Sequence, residues 1–169
     1  MKDVIKILSI LLVLSLNGCK EKEKKLFWVS PPGAYENDFL SMAESTNVLP
    51  IDNLNYYLTK KELFSAEQLT FKNFGRIYKN NTFKVVVLFR EGSNSGRDYT
   101  FIIRTFNHNA KILDSFELAT WIESKKRYCF GSINEALIIK RNCNHNNEID
   151  IRKILGNGKI VSTTYDERK

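Results

Sequence analysis

The chain has 169 residues, a formal net charge of +7 and 12% aromatic residues. This length suits one domain of typical size, and the aromatic content excludes a disordered stalk. The basic residues are scattered along the chain, without a basic helix or an aromatic-interleaved nucleic-acid module, so no nucleic-acid partner is expected.

The first eighteen residues have the pattern of an export signal. Lys2 and Lys6 give a positive start, and residues 7–16 are apolar except for two serines. At about 1.5 Å per residue this run covers roughly 15 Å of a hydrocarbon core about 30 Å thick. That is too short for a membrane span and typical of a secretory leader. Residues 1–18 are therefore predicted to be a signal peptide.

The motif Leu16-Asn17-Gly18-Cys19 follows the apolar run. It resembles the lipobox of bacterial lipoproteins, which has an aliphatic residue at minus three and a small residue directly before the cysteine. The resemblance implies that the mature chain begins at Cys19 and carries three acyl chains there, of the palmitate type. Two alternatives are an uncleaved anchor helix, which needs more length, and an ordinary cleaved signal, which needs an A-x-A-like site.

Residues 19–25 are predicted to be a lipidated, charged tether, because every residue from 20 to 25 is Lys or Glu. Two or more acyl chains hold a protein durably on a membrane. By analogy with lipoprotein sorting, Lys20 in place of an aspartate indicates the outer membrane of a Gram-negative cell. The Lys/Glu run is either a surface-export signal or a hydrophilic spacer, so the periplasmic and surface sides both stay open.

Residues 26–169 are predicted to form a single β-rich domain. Near its start, residues 34–45 are predicted to form a short helix. Thr59 and Glu62 have the spacing of a capping box, which predicts a second helix running to about Leu69. Residues 75–79 predict an additional strand that turns at Asn80-Asn81.

From Thr82 onward, period-two alternation and polar turn clusters predict a meander of seven strands. The predicted strands cover residues 83–90, 99–104, 112–121, 127–133, 136–143, 148–155 and 159–165. Pairing Phe89 with Tyr99 and Val87 with Phe101 places the large apolar residues on one face, and pairing Thr105 with Ile112 extends that face.

The predicted fold class is mainly β: a single antiparallel β-meander sheet with one or two short helices near its N-terminal side. So many consecutive strands leave the sheet either open or curled into a barrel or half-barrel. The segments HNAKILDSFEL (108–118) and LGNGKIV (155–161) resemble the hairpins of small β-meander envelope lipoproteins of Gram-negative bacteria. This resemblance implies the fold alone, because it carries no activity.

Cys129 and Cys143 are the cysteines that remain for the folded domain. An exported protein can form a disulfide, but a hairpin turning near Asn134-Glu135 places Cys129 opposite Lys140. Cys143 then lies on the other face and roughly 10 Å along the strand, whereas a disulfide needs Cα atoms within about 7 Å. Two separate thiols are the favoured prediction, and a disulfide would require a bulge or a different turn.

No constellation of catalytic or metal-binding residues stands out in the sequence. His108 and His145 each lie in an Asn-rich turn without flanking ligands for zinc. The nucleophile-elbow, zincin and P-loop motifs do not occur. Nothing singles out a pair suited to glycoside cleavage among the carboxylates near the strands: Glu117, Glu135, Glu148 and Asp150. No catalytic, cofactor-binding or metal site is predicted.

The chain is therefore expected to be a non-enzymatic interaction module held on the envelope by its lipid anchor. It would act as an accessory, inhibitor or immunity protein, with an envelope protein or other envelope component as partner and no cofactor. The first alternative is a small-molecule or lipid-binding protein whose curled sheet encloses the ligand. An enzyme is the second alternative.

Overall fold

The computed structural model describes residues 23–31, 33, 43–45, 54–64, 69–92, 98–145 and 149–163. The predicted signal peptide, Cys19 and residues 20–22 of the predicted tether lie outside these ranges. In the described ranges, no helix combines the length and the apolar character needed to cross a membrane.

Strands make up most of the described chain, together with one short α-helix and two 3-10 helices. The helices are α1 (Lys60–Phe64) and the 3-10 segments Leu54–Tyr57 and Glu123–Lys125. The strands are β1 (Lys25–Val29), β2 (Ala43–Ser45), β3 (Leu69–Lys79), β4 (Phe83–Gly92), β5 (Asp98–Asn107), β6 (Ile112–Ile122), β7 (Arg127–Asn134), β8 (Ile138–Cys143), β9 (Asp150–Ile154) and β10 (Ile160–Ser162).

All ten strands belong to one antiparallel sheet, which confirms the predicted fold class. Its order is β10-β9-β8-β7-β6-β5-β4-β3, so consecutive strands are neighbours as in the predicted meander. The predicted strand at 75–79 is the end of the longer β3. Within the described ranges β3 and β10 do not pair with each other, and the sheet is open rather than closed into a barrel.

The sheet forks at β7. One edge of β7 pairs with β8, while the other edge pairs first with β6, at Cys129, and then with β1, at Ile133. Gly131 stands where the partner changes, and a Cβ there would lie 2.4 Å from the Lys140 carbonyl oxygen and 3.0 Å from Leu118 Cδ1. Glycine is therefore required for the close approach of three strands. Neither β1 nor β2 was predicted from the sequence.

The fork lets the sheet fold over itself and enclose the main core. One layer is β3–β6 and the other is β1 with β7–β9. Phe27 of β1 meets Phe101 of β5 and Phe74 of β3 with ring centroids 5.8 and 5.9 Å apart. At one end of the core the Thr105 hydroxyl donates to the Gly158 carbonyl at 2.7 Å. These contacts join the two layers through buried aromatic packing.

A second, smaller cluster covers the opposite face of β4 and β5. It consists of Val86, Leu88, Ile102 and Phe106 together with Leu58. The segment 54–64 thus buries the face that the β1 layer does not reach. Burial of both faces explains why the sequence of β4 runs VVVLF without a polar residue, since strands covered on both faces read as continuous apolar runs.

The predicted capping box is confirmed. The Thr59 N–H donates to Glu62 Oε2 at 2.7 Å and the Glu62 N–H donates to Thr59 Oγ1 at 3.2 Å. The helix does not reach Leu69 as predicted, because that residue already pairs with Gly92 in the sheet. The helix predicted at 34–45 is wrong at its end, because Ala43–Ser45 is a strand that pairs with β1. The remaining residues of this prediction, 34–42, lie outside the described ranges.

The predicted registers of the first two hairpins are wrong, although the buried faces are right. Phe101 pairs with Phe89, a shift of two residues, so Val87 and Phe101 share a face without being directly opposite. β4 is longer than predicted and reaches Gly92, which also pairs with Leu69 of β3. Between β5 and β6, Thr105 pairs with Asp114 rather than Ile112, because two bulges interrupt the ladder.

Phe101 is expected to be the most sensitive position of the main core, because it is fully buried and its ring meets those of Phe27, Phe74 and Phe89. Truncating Phe101 to Ala should lower the free energy of unfolding by about 3–5 kcal/mol. Tyr56→Ala is the matched control, since Tyr56 is 70% exposed, and should stay within about 0.5 kcal/mol. Equal losses of the free energy of unfolding in the two variants, measured by chemical denaturation, would contradict the packing described.

Candidate functional site

A pocket of about 260 Å³ opens on the outer face of the layer formed by β1, β7 and β8. We call it the aromatic pocket and define it by Trp28, Phe130, Ser132, Lys140 and Asn142, which lie among its lining residues. The chain that follows β1 closes one side of it at Ser30 and Pro31. A few polar groups around aromatic walls are typical of ligand sites.

Strand alternation explains why these side chains share the outer face. Phe27, Val29, Ile133 and Ile139 point into the main core. Their neighbours along the strands therefore point away from it. The ladder places Trp28 beside Ser132 and Ser132 beside Lys140, and it pairs Phe130 with Asn142.

The aromatic pocket combines flat apolar surface with lysine side chains, one of which is paired with a carboxylate. The Lys25 Nζ lies 5.8 Å from the centroid of the Trp28 ring, and the Lys140 Nζ lies 3.5 Å from Glu23 Oε2. Aromatic surface continues beyond the pocket, because Tyr128 is 6.5 Å from Phe130 and stacks on Trp121 at 6.0 Å. Among the described lining residues there is no carboxylate and no histidine. The groups available are ring faces, the cationic donors, and the hydroxyl and carboxamide groups of Ser132 and Asn142, which can both donate and accept.

A buried ion pair lies on the other side of the molecule, between Arg104 of β5 and Glu62 of the capping box. The Arg104 side chain is 3% exposed, and its Nη1 and Nη2 donate to the Glu62 carboxylate at 2.8 and 2.6 Å. The same guanidinium donates to the Tyr57 carbonyl at 2.6 Å and to Ser115 Oγ at 2.8 Å. Each guanidinium nitrogen is hydrogen-bonded, as a buried charge requires.

The titration of Glu62 reflects this pairing. Burial acts to raise the pKa of Glu62, but the hydrogen bonds from Arg104 and Thr59 and the attraction of the guanidinium outweigh it and hold that pKa below its usual value. A carboxylate that is kept ionised has no proton to donate, and both oxygens of Glu62 already accept hydrogen bonds from within the protein. The pair therefore fastens the segment 54–64 onto the sheet.

The two histidines are not brought together. His108 lies in the turn between β5 and β6, where its Nε2 contacts the Asn81 carbonyl, whereas His145 lies in the turn after β8 at the opposite end of the strands. Of the carboxylates considered for glycoside cleavage, three form ion pairs with a neighbouring cation and Glu148 lies outside the described residues. These pairs are Glu117 with Arg90, Glu135 with Lys24 and Asp150 with Arg152.

Cys129 and Cys143 are joined in a disulfide, contrary to the prediction of two separate thiols. They are directly opposite each other in the ladder, whereas Lys140, the predicted partner of Cys129, pairs with Ser132. The turn is centred further along than predicted. Asn134 Oδ1 accepts from the Ile138 N–H at 2.8 Å, and Leu137 adopts a left-handed φ of 60°.

His145 has a ring nitrogen within 4.8 Å of both sulfur atoms of this disulfide. Two cysteines and a histidine are metal ligands by type. A metal binds thiolates, however, and both sulfurs are used in the bond between them. The group is therefore a structural crosslink with a neighbouring histidine.

Sequence reasoning missed the residues of the aromatic pocket. The signal was present, since Trp28 alternates with Phe27 and Val29, and Phe130 alternates with Cys129 and Gly131. That alternation marks one face of each strand. It does not show that β1 pairs with β7, which lies about a hundred residues away in the chain.

Replacing Glu62 by Gln is expected to lower the free energy of unfolding by about 3 kcal/mol, because it leaves the buried Arg104 without its counter-charge. Glu91→Gln is the matched control: its ion pair with Lys72 is exposed and should contribute at most about 1 kcal/mol. Urea denaturation at neutral pH measures both. Similar small losses in the two variants would mean that the buried pair does not hold the segment.

The same pair predicts a pH dependence of stability. Because the pKa of Glu62 is lowered in the folded state, its contribution is complete above the unfolded-state pKa of about 4.3 and is lost as the pH falls through the folded-state pKa. The Glu62→Gln variant should therefore lose less stability than the parent chain on acidification below about pH 4. Parallel acid profiles of the two proteins would contradict this.

The disulfide is expected to stabilise the domain by restricting its unfolded state. The cysteines are 14 residues apart, and a loop of this size corresponds to about 3 kcal/mol. In a Cys19→Ala background, Cys143→Ser should lower the free energy of unfolding by this amount, and a reducing agent should then have no further effect. Two titratable thiols in the unreduced, unfolded Cys19→Ala chain would show instead that the bond does not form.

Comparison of the chain with protein-family models, with curated proteins and with solved structures finds no match in any of the three.

Proposed function

We propose that the mature chain is a non-enzymatic binding module, anchored to the cell envelope by acyl chains on Cys19. In this proposal its aromatic pocket takes one flat, polar group of a larger envelope component. The outer membrane of a Gram-negative cell is the proposed site of anchoring. The observation that carries the binding role is the convergence of Trp28 and Phe130 with Ser132, Lys140 and Asn142 around one opening.

The size and lining of the pocket support this kind of ligand. A volume of about 260 Å³ is below the range of pockets that take a whole drug-sized molecule, so it suits one ring-sized group of a larger partner. The Trp28 and Phe130 rings offer flat apolar surface, while Ser132, Asn142 and Lys140 offer donors. An acidic sugar residue of an envelope glycan has the matching properties: an apolar ring face, hydroxyl acceptors and a negative charge.

The packing of the main core favours surface binding over an enclosed ligand. A protein that encloses a lipid lines a cavity with apolar residues, whereas here Phe101 and Phe74 meet at 5.0 Å in the centre of the core. The buried side chains of the two layers form one continuous cluster. An apolar ligand between the layers would have to displace these buried rings.

Two observations support export and anchoring. The disulfide between Cys129 and Cys143 is typical of proteins in oxidising compartments. The end of the predicted tether is also attached to the domain, since the Glu135 N–H donates to the Lys24 carbonyl at 3.2 Å and Asn134 donates to Glu23. An anchor at Cys19 would therefore hold the domain close to the membrane.

Oligogalacturonate, an acidic oligosaccharide, is expected to bind the full chain and to change its tryptophan fluorescence in a saturable manner. Trp28→Leu should weaken binding about thirtyfold, the effect of removing a central aromatic contact, and should abolish the fluorescence change because Trp121 lies outside the pocket. Neutral maltooligosaccharide, which lacks the carboxylates, serves as the comparison ligand.

Tyr56→Ala is the matched control variant, since it removes an exposed aromatic residue elsewhere on the surface and should leave binding unchanged. A thermal melt of each variant separates loss of binding from loss of folding. Lys140→Gln should weaken binding of the acidic ligand alone. Equal binding by the parent chain and Trp28→Leu would remove the aromatic pocket as the site.

Replacing Cys19 by Ala should abolish the incorporation of labelled palmitate in cells, because the acceptor thiol is then missing. Cys143→Ser is the control, since it changes a cysteine that is not the proposed site of acylation. Both proteins are recovered and their label is compared per unit of protein. Label in the Cys19→Ala chain at the level of the control would refute the lipid anchor.

A further inference from the structure

A second pocket, of about 150 Å³, lies at the turns that end β3 and β5. We call it the basic pocket and define it by Arg76, Lys79, Lys84 and His108. Its other lining residues are Asn80, Phe83 and Asn107, so no acidic side chain is among the described residues that line it. Three permanent cations around a small concavity form a site for an anion.

The remaining polar groups of the basic pocket are also donors. The Asn80 side-chain oxygen accepts from the backbone N–H groups of Thr82 and Phe83, both at 2.8 Å. The Asn107 side-chain oxygen accepts from the N–H groups of Asn109 and Lys111 at 3.0 and 2.9 Å. The Asn80 NH₂ also donates to Tyr78 Oη at 3.5 Å. Because the turns use both carboxamide oxygens, the carboxamide groups that face a ligand are the NH₂ groups, which are donors and carry two hydrogens each.

The charges of the basic pocket are not balanced from within. In the described part of the chain the side chains of Arg76 and Lys79 form no ion pair, and Lys84 contacts the neutral side chains of Tyr57 and Phe106. Its Nζ lies 3.3 Å from Tyr57 Oη and 4.8 Å from the centroid of that ring. Clustered cations without a counter-charge repel each other, so an anion supplied from outside would stabilise the arrangement.

The topology places this pocket at the end of the molecule from which the tether leaves. Successive hairpin turns of a meander alternate between the two ends of the strands, so the turns at 80–82, 108–111, 135–137 and 155–159 share one end. The contacts of Glu23 with Asn134 and of Lys24 with Glu135 are at this same end. The basic pocket and the start of the described chain therefore face the same side.

Contacts between the two layers close this end. The Thr105 hydroxyl donates to the Gly158 carbonyl, and a Cβ on Gly158 would lie 3.3 Å from Phe83, which lines the basic pocket. Cys19 precedes Glu23 by four positions in the sequence. A fully extended chain spans at most about 3.6 Å per residue, so Cys19 lies within roughly 14 Å of Glu23.

We propose that the basic pocket binds a phosphate group, and that in the anchored protein this group belongs to a lipid headgroup of the same membrane. The inference rests on the proposed lipid anchor for the source of the phosphate, but not for the site itself. Bound headgroups would hold the tether end of the domain against the membrane. The aromatic pocket, on the outer face of a layer, would then be held in a fixed orientation to that surface.

The first arm of the test uses inorganic phosphate and the full chain with Cys19→Ala, kept in a neutral maltoside detergent. Calorimetric titration at constant ionic strength should show binding. The double variant Arg76→Gln/Lys79→Gln should lose it. The control variant is Lys125→Gln/Arg127→Gln, which removes the same charge from exposed residues at the opposite end and should keep it.

The second arm uses phosphatidylcholine vesicles with and without phosphatidylglycerol. The predicted signal peptide contributes to vesicle binding in both lipid compositions and in all variants. The quantity compared is therefore the increase in the partition coefficient that phosphatidylglycerol produces. Loss of two cations at an anionic surface should reduce that increase roughly thirtyfold in Arg76→Gln/Lys79→Gln. The control pair should reduce it much less.

A loss of binding in Arg76→Gln/Lys79→Gln, but not in the control pair, in both arms would support a headgroup phosphate. The same loss confined to the first arm would support a site for a free phosphate. Equal losses in the two double variants, or no binding of phosphate or anionic lipid, would overturn the basic pocket as a site. Thermal melts show whether each variant is folded. Acylation of Cys19 and binding at Trp28 are measured separately, so failure here is distinguishable from failure of the proposed function.

Discussion

Strands β4 and β5 carry apolar side chains on both faces, and a different part of the chain has to cover each face. The folded-over layer of β1 and β7–β9 covers one face and forms the main core. The segment 54–64 covers the other, where Arg104 is the one buried charge among the described residues. That charge requires the carboxylate of Glu62, and the same carboxylate caps α1. Local helix capping and long-range packing thus depend on one side chain.

The fork at Gly131 determines where the aromatic pocket forms. Because β1 replaces β6 as the partner of β7, Trp28 comes to lie on the same outer face as Phe130. In a simple meander, β6 would have paired along the whole of this edge of β7. The missing side chain at Gly131 permits Leu118 and Lys140 to approach from two strands. The aromatic pocket is therefore a consequence of the same close packing that folds the sheet over.

The two pockets differ from the buried ion pair in what their polar groups can still contact. Both pockets offer donors, cations and ring faces on rigid strands or at their ends. Both carboxylate oxygens of Glu62 accept hydrogen bonds from within the protein. A binding module needs fixed surfaces of the right shape and charge, whereas a catalyst needs a group with a proton or electron pair to exchange. The proposed binding role rests on such surfaces at the two pockets.

Local patterns in the sequence determined the strand-rich class, the order of the seven meander strands and the capping box. They also determined which residues of β4 and β5 face the main core, because a shift of two residues preserves the face. The tertiary structure alone decided the registers, the disulfide and both pockets. The Asn134 side chain and the left-handed φ of Leu137 set the position of the hairpin turn between β7 and β8, and this position brings Cys129 opposite Cys143. No glycine in the sequence marks the left-handed position of this turn. Pairing of β1 with β7 depends on packing between residues about a hundred positions apart, which a period-two pattern does not encode.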